Sequence, residues 1–168
     1  MLDAGFRRND GKEGNTTVML PALFALLHHV AAFGLVASMA IEHAALTGPF
    51  TLDAARRLLQ ADRSYGIAAG LILVIGGLRV AFFEKTPAYY AHSAPFLIKI
   101  ALFLTVGLLS IWPTLQFLSW RGAVAQGVLP QVAPTTLMRL QRTVHIELAL
   151  VAVIILCAAL MAKGVGTF

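Results

Sequence analysis

The stretch VMLPALFALLHHVAAFGLVASMAI, residues 18–41, contains no Asp, Glu, Lys or Arg. A helix of about 20 residues crosses the hydrocarbon core of a bilayer. An uncharged run of this length therefore reads as a membrane-spanning helix, and Thr47-Gly48-Pro49 ends it. The rest of the chain repeats the pattern. Ser64 to Leu78 is uncharged, a third apolar run follows Pro95, and a fourth follows the basic turn of Arg139 and Arg142. The expected spans are 20–46, 63–83, 95–120 and 136–163. The expected fold class is all-α, an integral membrane four-helix transmembrane bundle with short loops. Leu52–Leu59 has helical spacing and is expected to form an interfacial helix.

Composition agrees. Of 168 residues, 58% are hydrophobic and 12% charged, with a mean hydropathy of +0.79. A soluble domain carries about 25% charged residues, so a water-soluble enzyme and a disordered chain are both excluded. Cys157 is the single cysteine, which excludes an internal disulfide and a thiolate metal site. The net charge of +5 suits basic loops against anionic lipid headgroups. No basic stripe with interleaved aromatics is present, so no nucleic-acid partner is expected.

Residues 1–18 read as a polar, disordered tail, and 19–168 as the transmembrane domain. Met19 abuts the first span and is an alternative start. Tyr89, Tyr90 and His92 suit a membrane–water boundary. Four spans put both termini on one side, here side A, together with the loop between spans two and three. Side B carries Arg56, Arg57, Arg63, Arg121, Arg139 and Arg142. Leaving the tail aside, this exceeds Arg79, Lys85, Lys99 and Lys163 on side A. The positive-inside rule then puts side B in the cytoplasm and the termini outside.

Polar residues at membrane depth are functional suspects. Side A offers His28 and His29 on span one, Arg79 on span two and Lys99 on span three. Imidazole ligates haem iron, and Arg or Lys neutralises propionates. This set suggests a haem pocket, with His29 as the iron ligand and His28 as the alternative. Lys99 would be a second ligand or a propionate partner, and Arg79 a propionate partner; Tyr65 and His145 are further candidates. Snorkelling explains Arg79 and Lys99 equally well. Side B offers Glu42, His43, Asp62, Arg63, His145 and Glu147. These read as an ion network in which Arg63 pairs with Glu42 or Glu147, or else as a metal site. His29 and His43 fall near one helix face, about 21 Å apart along the axis, a spacing that two stacked haems would need.

The segments LHHVAAF (27–33), ADRSYGIAAGLILVIGGLRV (61–80), FLIKIALF (96–103), LLSIWPTLQFLSWR (108–121) and ALMAKGVG (159–166) carry a resemblance. They are similar to a bacterial inner-membrane family numbered 2214 among the domains of unknown function. More distantly, the pattern resembles HemJ-type protoporphyrinogen oxidases and copper-resistance protein D-like four-span proteins. The first of these implies a b-type haem held by a histidine early in span one, matched by His28 or His29. It also implies a lysine near the start of span three, matched by Lys99. Arg142-x-x-His145 stands where that family has Arg-x-x-Asn-Glu, so the Asn-Glu pair is missing.

The function expected is therefore a haem-binding membrane protein with a redox role. That role would be electron transfer or oxidation of a porphyrin- or quinone-like substrate. The expected partners are the lipid bilayer, a second copy of the chain and a membrane electron-transfer partner. The alternatives are a non-catalytic membrane subunit and a small solute or metal-ion permease.

Overall fold

The computed structural model describes residues 10–83 and 92–165, with side chains from residue 19 onward. Four long helices follow one another: α1 (Asp10–Thr47), α2 (Leu52–Leu78), α3 (Ala94–Ala125) and α4 (Pro134–Ala162). Each contains an apolar stretch long enough to cross a membrane. No strand occurs among the described residues. Helix α1 already includes residues 10–18, so the polar segment enters it from Asp10. Residues 1–9 and both Tyr89 and Tyr90 lie outside the described residues.

Local chemistry sets the helix ends. α1 stops at Thr47, directly before Gly48-Pro49. Thr51 caps α2: its side-chain oxygen accepts from the Ala54 N–H at 3.2 Å, and Asp53 lies in the first turn, where acidic groups meet the positive dipole end. The expected interfacial helix is instead the opening of α2. Nothing between Leu59 and Tyr65 breaks a helix, and Ala55 and Leu58 are buried in the bundle core. α2 passes into a π-helical turn, Arg79–Phe83. α3 runs on through Pro113, which is buried.

α1 packs mainly on α2 and α3 on α4, while α1–α4 and α2–α3 contacts close the ring. Buried positions recur with alternating spacings of three and four residues. On α1 they are Leu35, Met39, Glu42 and Leu46; on α4 they are Leu140, Val144, Glu147 and Val151. This is the spacing of up-down-up-down bundles with knobs-into-holes packing. Two apolar clusters result. One, toward side B, joins Leu46, Leu58, Phe117, Trp120, Leu140 and Val144. The other, deeper, joins Leu35, Met39, Tyr65, Ala68, Val106 and Val151. Large apolar side chains such as Phe33, Val74, Leu108 and Ile155 point outward, as lipid-facing residues do.

Candidate functional site

The bundle carries polar groups at two heights. Glu42 on α1, Asp62 on α2, Thr114 on α3 and Glu147 on α4 all fall between the two apolar clusters in chain position. They form one layer to which every helix contributes. Counting an equal number of residues from Glu42, Asp62 and Thr114 toward side A reaches His28, Gly76 and Ile100, about 21 Å from the layer. Lys99 adjoins Ile100, and Arg79 follows Gly76 by one turn.

At the side A height the two histidines part. His28 is half-buried and turns onto α2, where its Cε1 lies 3.3 Å from the position a Cβ on Gly76 would take. Adjacent helix positions are about 100° apart, so His29 faces outward and is exposed. Its Nδ1 is 2.6 Å from the Ala25 carbonyl oxygen. The two rings meet edge-on, with centroids 6.2 Å apart. Arg79 and Lys99 are half-buried, and the Lys99 ammonium sits 5.3 Å from the centre of the Phe96 ring. Lys99 belongs to α3, diagonal to α1 in the ring, whereas Arg79 follows directly on α2, which adjoins α1.

The close fit at Gly76 carries a prediction. Gly76→Leu is expected to force α1 and α2 apart at this end and to cost about 1–3 kcal/mol, as overpacking does. Gly76→Ala requires a shift of only a few tenths of an ångström and should cost less. Detergent-titration unfolding of the three proteins checks the order; equal stabilities would mean that His28 does not pack there.

His145 belongs to the other height. It is exposed on α4, and its ring lies 5.7 Å from that of His43. His43 thus lies beside α4, while His29 is exposed. Tyr65 is buried in the deeper apolar cluster.

In the layer itself, Glu42 is 4% exposed and Glu147 2%. The Thr114 hydroxyl donates to Asp62 Oδ1 at 2.6 Å. Glu42 Oε1, Glu147 Oε1 and His43 Nδ1 are buried without a hydrogen-bond partner among the described residues. The expected ion network is not formed. Asp62 turns toward α3, which swings its neighbour Arg63 to the exposed surface. An ion pair forms elsewhere, between Arg56 and Asp53, at 3.1 Å within the first turns of α2. No three His, Cys, Asp or Glu side chains among the described residues are grouped to hold a metal ion. Ser110 and Thr114 are not among the expected site residues, and Glu42 and Glu147 are expected in an ion network rather than buried in the core.

The family model described as predicted membrane protein (DUF2214) matches residues 20–166. The chain belongs to this family. The match runs from the first span through the end of α4, so both polar heights lie inside the family's domain. No curated protein and no solved structure matches the chain significantly. As a DUF2214 member with four apolar helices, the chain is a multi-pass membrane protein.

Proposed function

We propose that this DUF2214 protein binds a b-type haem in the bacterial inner membrane and serves a redox role there, with His29 as the axial ligand. The observation that carries the reading is the anchored imidazole. With Nδ1 held on the Ala25 carbonyl, Nε2 is the nitrogen left to bind iron. Metal-ligating histidines almost always have their other ring nitrogen fixed in this way. Leu26 and Phe33, one turn to either side of His29, are exposed and apolar, which suits the face of a macrocycle. The inner side fits less well, because the His28 ring already occupies the space that Gly76 leaves on α2.

Bound haem would supply a one-electron iron couple; the chain would hold and orient it. Arg79, on the adjoining helix and at the same height, would meet a propionate. Lys99, on the diagonal helix, would do so from a second copy. An outward-facing ligand favours a site completed by that copy or by an electron-transfer partner. The basic residues of side B favour termini on the non-cytoplasmic side.

The test is the visible absorption spectrum of protein purified in detergent from a haem-replete host, before and after dithionite. A Soret band is expected, with sharpened α and β bands on reduction. His29→Ala is expected to abolish it and His28→Ala to retain it. A colourless wild-type preparation would reject the haem reading and leave the subunit and permease readings. Loss of colour in His28→Ala alone would move the ligand to the inner ring.

A further inference from the structure

The layer between the apolar clusters involves other residues and stands whether or not haem binds. Its composition is unusual for membrane depth. α1 contributes Glu42 and His43, α2 contributes Asp62 and Tyr65, and α4 contributes His145 and Glu147. α3 contributes hydroxyls only, those of Ser110 and Thr114. Among the described residues no Lys or Arg side chain is buried in the layer: Arg63, at its height beside Asp62, and Arg56, Arg57, Arg121, Arg139 and Arg142 are all exposed. From Arg57, Arg121 and Arg142 to the layer is about 8–11 Å along α2, α3 and α4.

Three carboxyl groups thus share one bundle interior in which no described Lys or Arg side chain is buried. Two of them, Glu42 and Glu147, are more than nine-tenths buried and each has an oxygen without a partner. Buried polar groups are normally satisfied, and a buried charge is costly unless something neutralises it. No described Lys or Arg side chain inside the layer does so, and a species from outside the chain would. The side chains are not grouped for a metal ion, which leaves the proton as the ligand that needs no coordination shell. Two imidazoles stand at the same height: His145 is exposed and His43 is half-buried beside it, and in sequence His43 adjoins Glu42 while His145 precedes Glu147 by two positions. Chains of His, Glu and Asp of this kind form proton relays in membranes.

We propose that Glu42, Asp62 and Glu147 form a proton-binding site inside the bundle, loaded from side B through the His43–His145 pair. The test uses the full chain reconstituted in liposomes. A hydrophobic carbodiimide reacts with protonated carboxyl groups in apolar surroundings, and peptide mass spectrometry locates the adduct. Labelling is expected on Glu42 or Glu147, declining as the pH is raised and unchanged by added Na⁺ or K⁺. In parallel, infrared difference spectra between about pH 4 and about pH 9, bracketing ordinary carboxyl and imidazole values, should show a titrating carboxyl C=O band. Glu42→Gln with Glu147→Gln should remove most of it. His145→Phe should slow deuterium exchange of that band severalfold.

Absence of both the label and the titrating band in the wild type overturns the site. Protection by Na⁺ or K⁺ at constant pH overturns it in favour of a cation site. An unchanged exchange rate in His145→Phe overturns the entry route. The wild-type measurements decide the site even if the double variant fails to fold.

Discussion

Phe117→Ala is expected to destabilise the bundle by about 3–5 kcal/mol, the range for deleting a buried aromatic ring. In lipid, helices gain little from leaving the surrounding solvent, because the acyl chains are as apolar as leucine. Close packing must hold them together instead. Phe117 is 0% exposed and sits among residues from all four helices: Leu46, Leu58, Trp120, Leu140 and Val144. Its ring meets that of Trp120 at a centroid distance of 5.3 Å, and Phe50 closes on the other aromatic at 5.4 Å. Removing it strips dispersion contacts from every helix at once and leaves a void the surroundings cannot easily fill. Leu108→Ala is the contrasting case. Leu108 is 70% exposed, so lipid replaces what the side chain loses, and the change should stay within about 0.5 kcal/mol. Unfolding by denaturing detergent, followed by far-ultraviolet circular dichroism, gives both values. Similar losses for the two variants would mean that Phe117 does not hold the helices together.

Four spans and their order are legible in the sequence because lipid imposes a demand that composition can answer. A run such as Ser64 to Leu78 has no other stable home. The opening of α2 is less legible. Leu52–Leu59 looks amphipathic and suits an interface, but Ala55 and Leu58 are drawn into the bundle by Phe117 and Leu140, residues far away in the chain. The histidine pair is readable as a pair, since adjacent positions must face different ways. Which ring turns inward depends on Gly76, whose missing Cβ makes room for His28. The inward place of Glu42 and Glu147 was available in principle. The series Leu35-Met39-Glu42-Leu46 and Leu140-Val144-Glu147-Val151 keep the bundle spacing straight through the acidic residue. A reading by proximity to charged neighbours pairs Glu42 with Arg63; a reading by heptad spacing puts it in the core. The Thr114–Asp62 bond joins residues distant in sequence and carries no local signal.

That spacing leads to the second large effect, whose sign is opposite to the first. Glu42→Leu combined with Glu147→Leu is expected to raise stability by about 2 kcal/mol or more. Each glutamate holds a core position, and leucine has similar volume and fits the same alternation. Each also keeps one oxygen buried without a partner, and an unsatisfied buried polar group costs about 1–3 kcal/mol. Replacing both removes that cost and joins the two apolar clusters into one. The single variants should gain less than half of the total. Each leaves the other carboxyl with Asp62 in a drier interior, so the effects of the pair are not additive. The same detergent titration measures all three variants. A double variant less stable than the parent would mean that Glu42 and Glu147 hold the helices together, and the layer would then be structural. A gain in stability accompanied by loss of carbodiimide labelling would separate the two roles. The bundle would fold better without the acids, and their presence would be explained by the protons they carry.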